Sequence, residues 1–436
     1  MTGLLTTCGS QFRDWTSSYR LFSADRLPVE AIFSVVRRAV VAELPPRAPV
    51  CAVLDDSLWR RAGLRTPGVA WRRDPLGPRF QTNFVRAQRF LQTSLALAAP
   101  DGSSRLLPIA FRHAPTPPRP SRKASALERQ QYRALARTTR LSQRASEQIH
   151  DLRAALDADS SSAARLLLLA FDGGYTNRTV LKDLPAHTTA IGRLRKDAHL
   201  LLRPDPQTQK ARGRRLAYGP SAPSPEQVRT DDSAWETLTL TRHGATHEVR
   251  FKRRTGLMWR PAGAHRVLQL VVIAPLAYRL RRGSRLLYRD PAFLICTDEQ
   301  LDPRTIIETY FQRWDIEVNF RDEKTLLGVG QAQVRCPRSV QSVPALTVAS
   351  YALLLLATQR AFPNSRRGLL PRPKWIPTSP GARISTQQAI NQLRAEVWGR
   401  GLGLRNFSPF ASTLPLGTKP EKSPFPLASA ACYANA

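Results

Sequence analysis

The chain has 436 residues, 42% of them hydrophobic, which is enough to bury a sizeable core and excludes global disorder. Lysine and arginine number 66 against 33 aspartates and glutamates, a formal net charge of +33. Such an excess repels itself unless a polyanion shares the surface, so nucleic acid is the expected partner.

Five cysteines (Cys8, Cys51, Cys296, Cys336 and Cys432) are odd in number, far apart and without a CxxC pair. That pattern argues against a disulfide framework and a zinc site, and fits a reducing cytosol. The N-terminal MTGLLTTCGSQFRDW lacks the basic-then-apolar pattern of a secretory signal. The longest apolar run, residues 343–357, is interrupted by Pro344, Thr347 and Ser350 and is short for a membrane span. The expectation is a cytoplasmic, nucleoid-associated protein with no membrane partner.

In chain order, residues 1–48 read as a short helical segment, clearest over 27–44, which Pro45 and Pro46 stop. Residues 51–54 form an apolar run ending in Asp55-Asp56, the pattern of a buried strand that delivers polar groups at its end. Further strands are predicted over 83–97 and 106–111, a Pro-rich linker over 115–121, and one long charged helix over 124–156. Residues 165–171, RLLLLAF, are the cleanest buried strand, and they too end on a carboxylate, Asp172. Gly173-Gly174 turn the chain into a helix over 179–184, and 190–195 reads as the next strand. After a polar, Pro-rich stretch over 203–233 comes a β-rich block, with strands at 237–241, 247–252, 267–273, 285–288 and 292–297. A helix follows over 303–325, another over 343–361, and an amphipathic helix near 386–399.

This order predicts a mixed α/β core. Its first part spans 49–202, a β-rich insertion spans 203–300, the second part spans 301–362, and a Pro-rich C-terminal region spans 363–436.

The helix over 303–325 carries the densest chemistry. Asp302 suits its N-cap and Pro303 its first position. At about 100° per residue, Tyr310, Arg313, Glu317 and Lys324 share one stripe about 60° wide. Ile307, Phe311, Trp314 and Val318 lie on a different face, centred about 70° from Tyr310, and are expected to pack into the core. One acid between two bases and a phenol suits a carboxylate that binds a metal beside cations that grip phosphates.

The spacing Tyr310-x2-Arg313-x3-Glu317-x6-Lys324 resembles the Tyr-Arg-Glu-Lys signature of the insertion-sequence-four family of bacterial DDE transposases, and Leu327-Gly328 resemble its continuation. The resemblance covers roughly residues 50–360. It implies an RNase H-like mixed sheet flanked by helices, with a β-rich insertion between the second and third catalytic acids. It implies two further acids at strand ends. Asp172 in FDGGY matches the second, with Tyr175 after it. Asp55, with Ser57 two residues on, matches the first, and Asp56 is the alternative. Asp55, Asp172 and Glu317 would then hold Mg²⁺, with Mn²⁺ a possible substitute. Tyr310, Arg313 and Lys324 would grip backbone phosphates. The implied reaction is hydrolysis at the ends of an element followed by strand transfer, on double-stranded DNA and as a dimer assembled on it. The family's end-recognition domain precedes the first acid, where this chain carries only one or two helices. That module is expected to be reduced, relocated or lost. A degenerate DNA-binding remnant and a metal-dependent nuclease of the same fold are the alternatives.

Arg193, Arg195 and Lys196 follow a strand near Asp172 and are candidates for the DNA channel. Trp259 and Trp235 lie in the β-rich block, where the resemblance implies an aromatic that can stack on a flipped base, and Trp259 is the candidate for that role.

Overall fold

The structure is a computed structural model that describes residues 12–401, apart from 209–214, 363–382 and scattered one- or two-residue gaps. Its strands are β1 (Val50–Arg60), β2 (Ala70–Arg73), β3 (Phe84–Ala98), β4 (Ser104–His113), β5 (Leu167–Phe171), β6 (Thr188–Arg193), β7 (Leu201–Leu202), β8 (Glu236–Arg242), β9 (Ala245–Met258) and β10 (Leu268–Ile273). A short hairpin of β11 (Ala277–Tyr278) and β12 (Leu287–Tyr288) precedes β13 (Ala292–Cys296).

One sheet takes up every strand except that hairpin, in the order β2-β3-β1-β5-β6-β13-β10-β9-β7, with β4 also on β3 and β8 also on β9. β1, β3 and β4 pair antiparallel, whereas β1, β5 and β6 pair parallel. This is the mixed sheet of an RNase H-like fold. β5 is apolar at every position because both of its faces are covered, and all five residues are fully buried. Apart from the β11–β12 hairpin, the strands of residues 203–300 do not build a sheet of their own. β13 pairs antiparallel with β6, and β10 and β9 follow, so they lengthen the core sheet.

Helices cover both faces. Val29–Glu43 packs on β3 and β4, Leu141–Asp157 packs on β3, and Pro303–Gln312 packs on β5 and β6. Pro337–Ala361 is long and apolar enough to cross a membrane by length and composition. Here Val340, Val348, Tyr351 and Leu355 are buried, and the helix packs on β4 and on Val29–Glu43. The predicted helix over 124–156 is two helices, Ala126–Thr138 and Leu141–Asp157. Thr138 and Thr139 both donate their hydroxyls to the Leu135 carbonyl, competing with the helix ladder at the break.

The region over 363–436 lies outside the described residues except for Arg383–Gly401, where the helix Thr386–Gly401 stands at the amphipathic pattern. That helix is tied into the core. Thr386 Oγ1 donates to Asp322 Oδ2 at 2.6 Å, deep beneath the helix Trp314–Thr325. Thr386→Val keeps the shape and removes that donor from a buried carboxylate. It is expected to lower unfolding stability by about 1–3 kcal/mol in urea titration. An unchanged midpoint would mean that the C-terminal helix does not brace the core.

Candidate active site

β1 runs well past Asp55, which sits mid-strand and not at a strand end. The reason is its partner. β3 pairs with it from Ala52 to Arg60, whereas the parallel partner β5 stops at the Val53–Ala170 pair. Beyond that point one edge of β1 has lost its neighbour, and Asp55 falls in the notch. Continuing the parallel register by two residues brings Asp55 alongside Asp172, the residue that follows β5.

Alternation along β1 separates the two candidate acids. Cys51, Val53 and Trp59 face the cluster that holds Ile316 and Phe320, and Ser57 and Asp55 share that face. Asp56 points to the opposite face, where Tyr175 donates its hydroxyl to Oδ1 at 2.5 Å and Arg89 pairs with it at 3.1 Å. Arg89 was not visible as a partner from the sequence, because only strand pairing carries it to Asp56.

Asp172 is positioned by the turn after β5. Its Oδ1 accepts from the Gly174 amide at 2.7 Å, and its carbonyl accepts from the Tyr175 amide and the Thr176 hydroxyl. Gly192 of β6 lies opposite Phe171, where a Cβ would stand 2.3 Å from Thr176 Oγ1, so only glycine lets the turn close.

The third element departs from a single amphipathic helix. Asp302 caps it as expected, accepting from the Thr305 amide at 3.4 Å. The helix is interrupted at Arg313, giving Pro303–Gln312 and Trp314–Thr325. Tighter i→i−3 bonds, Arg313 to Tyr310 and Ile316 to Arg313, mark the joint. The buried face therefore changes. Before the joint it holds Ile306, Ile307 and Tyr310. After it come Asp315, Ile316, Asn319, Phe320, Asp322 and Glu323. Trp314, expected in the core, is exposed, and Phe311 and Val318 are only half-buried.

The joint places Arg313 between two acids. One guanidinium nitrogen lies 3.4 Å from Asp55 and the other 3.4 Å from Glu317. Asp55 and Glu317 are thus one guanidinium apart, and Asp172 lies close enough to act on both Asp55 and Arg313. Burial opposes the charge of Arg313, but Tyr310, Asp55, Glu317 and Asp172 outweigh it and raise its pKa. The ring of Tyr310 is buried, with the guanidinium 5.7 Å from its centroid, so the phenol braces Arg313. Lys324 donates to Ser57 Oγ at 2.6 Å and lies 5.1 Å from the centre of the Trp59 ring, and burial lowers its pKa.

Burial, then the charges of Asp172 and Asp56, push the Asp55 carboxyl up to about 7, and Arg313 only partly offsets them. Burial likewise raises Asp56, against Arg89 and Tyr175. Negative charge is thus crowded and short of a counterion. Hard divalent cations take carboxylate oxygens, so the donor set fits one in kind. Among the described residues, no group of three His, Cys, Asp or Glu side chains stands ready to hold an ion. Arg313 is the cation that Asp55 and Glu317 share here.

Of the other candidates, Arg193, Arg195 and Lys196 are exposed, and Arg193 ends β6 with its carbonyl against Gly173, next to Asp172. Arg195 is paired with Asp197. Trp259 is half-buried and packs against the main core.

The family model for DDE superfamily endonucleases matches residues 3–256, a stretch that holds Asp55 and Asp172 and ends before the helix bearing Glu317. No curated protein matches the chain. A match over more than half the length, on a mixed sheet that brings acids from two parallel-strand positions and a following helix together, places this chain in the DDE superfamily endonuclease family.

Proposed function

We propose that this protein is the transposase of a bacterial insertion sequence, cutting DNA at the element's ends and joining the freed ends to a target. The observation that carries the reading is the bridge of Arg313 to Asp55 and Glu317, with Asp172 in the next strand's register. The three acids come from a strand, a strand end and a helix that are distant in sequence, and Asp55 and Glu317 are joined through Arg313. The basic surface, +33 overall, fits a duplex held across them.

Asp55, Asp172 and Glu317 would hold the divalent ions, Mg²⁺ or in its place Mn²⁺. When bound, these supply an activated water and charge neutralisation at the phosphate. Water attacks phosphorus, the bond to the 3′ oxygen breaks, and that oxygen leaves as the 3′-hydroxyl. The hydroxyl then attacks a target phosphodiester and displaces its 3′ oxygen in turn. Arg313, beside Asp55 and Glu317, would offer guanidinium N–H groups to the phosphate oxygens. Lys324, held against Ser57 and Trp59, offers a partly desolvated cation to the backbone beside the cut. Tyr310 fixes the plane of Arg313 from below. Two copies assembled on DNA would serve the two ends.

The test is nicking of a supercoiled plasmid carrying the element's ends, with Mg²⁺ and with EDTA. Metal-dependent nicking followed by joined products is expected. Nicking without joining would leave a nuclease of this fold, and no nicking would leave a DNA-binding remnant. DNA affinity is expected to fall by about 10³-fold or more between 50 and 200 mM salt in filter binding. A flat response would show that the charge faces something other than phosphate.

A further inference from the structure

The stretch from Arg60 to Arg86 holds seven arginines and a single acid, Asp74. Asp74 pairs with Arg60 at 2.7 Å. Within this stretch β2 and β3 form a two-stranded ribbon projecting beyond the end of β1. Its register sets Trp71 opposite Arg86 and Arg73 opposite Phe84. Directly opposed residues share a face, and so do residues two apart on one strand. One face is therefore a checkerboard of two aromatic rings and two guanidinium groups. The other face is anchored: Arg72 is buried, with Nε 3.4 Å from the Ala87 carbonyl and Nη2 3.4 Å from Thr116 Oγ1.

The checkerboard face is open to solvent. Trp71 is 68% exposed, Phe84 56%, and Phe80 in the following turn 98%. The Arg86 guanidinium lies 5.9 Å from the centroid of the Trp71 ring. Large exposed rings are unfavourable in water, and a soluble surface seldom gathers three together. Guanidinium groups suit phosphates, and flat rings suit base faces. A fully paired duplex hides its base faces in the stack, so the rings call for bases that are not paired.

We propose that this ribbon is a second DNA-contacting site, taking unpaired nucleotides that flank the cut, with Trp71 and Phe84 stacking on bases and Arg73 and Arg86 on phosphates. From Gln92, which pairs with Asp55, to Arg86 is six residues along β3, about 20 Å, or about six nucleotide steps. One DNA molecule can reach both sites. This inference rests on the DNA-cutting reading above.

The experiment uses the full chain in Ca²⁺, with gel shifts on a paired duplex and on the same duplex carrying a mismatched bubble about six base pairs from the end. Wild-type protein is expected to prefer the bubble. Trp71→Ala is expected to lose about 5- to 100-fold on the bubble, at the stacking energy of one base, and less than twofold on the paired duplex. Trp71→Phe should restore most of the loss. Equal loss on both DNAs, or none on the bubble, overturns the proposal. A change only in the oligomeric state of the DNA-free protein, read by sedimentation, would also overturn it and make the ribbon a contact between copies. Failure of the wild type to bind either DNA overturns the cutting reading itself, which separates the two failures.

Discussion

Glu317→Gln is expected to lower Mg²⁺-dependent nicking by about 10³-fold or more while DNA affinity stays the same or rises slightly. Glutamine keeps the size and hydrogen-bonding capacity of the side chain but removes the charge that a divalent cation needs. The interaction is required only as the phosphodiester breaks, so its loss falls on the chemical step. Affinity measured in Ca²⁺ by gel shift should not suffer, because one repulsive charge leaves the phosphate path. The side chain of Glu317 is 43% exposed, so the substitution leaves the core undisturbed. Lys324→Ala should show the opposite bias, weakening DNA binding and leaving the three acids in place. Glu323→Gln is the internal control. Glu323 is fully buried on the other side of the helix, and burial pushes its carboxyl up to about 8, so it is already mostly neutral at pH 7. Its amide variant should nick almost as the wild type does. If Glu317→Gln nicks normally and Glu323→Gln does not, the third acid is Glu323, and the spacing of Tyr310, Arg313, Glu317 and Lys324 is a coincidence of a helix surface.

The second large effect lies in the pH dependence of stability at Asp55. Its folded pKa of about 7 stands above the ordinary 3.8, because of burial first and then Asp172 and Asp56. The folded state therefore keeps a proton that the unfolded chain releases. Stability falls as pH rises from about 4 to about 7, and the loss is complete above that window. Three pKa units correspond to about 4 kcal/mol as an upper figure. In EDTA at pH 8, Asp55→Asn should remove this penalty and raise the melting temperature by about 3–5 °C. Arg313 keeps Glu317 as a partner in that variant, so it is not left alone. Adding Mg²⁺ should raise the melting temperature of the wild type at pH 8 more than at pH 5.5, since an ion competes with protons for the carboxylates. The Asn variant should respond weakly at both. A lower melting temperature for Asp55→Asn at pH 8 would mean that the acids repel less than their crowding implies.

Much of the scaffold was legible from local pattern. The run 165–171 with Asp172 after it yields β5, because a strand covered on both faces must be apolar throughout and can turn polar only where the cover ends. Pro45 and Pro46 end the first long helix within a residue or two of where sterics require. The spacing of Tyr310, Arg313, Glu317 and Lys324 points to one helix surface, and that periodicity is local. What the tertiary structure alone decided is how distant segments meet. The length of β1 beyond Asp55 depends on β3, more than thirty residues away, and the choice of face for Asp55 and Asp56 depends on which helix lands on which side. The interruption at Arg313 sets a guanidinium between two acids from different elements, a contact that no helical period encodes. Strands of residues 203–300 read correctly as strands, yet only hydrogen bonding of β13 to β6 makes them part of the core sheet. Secondary structure follows from neighbours in sequence, whereas edge pairing, sidedness and charge crowding follow from neighbours in space, and the acids of this chain are brought together by the latter.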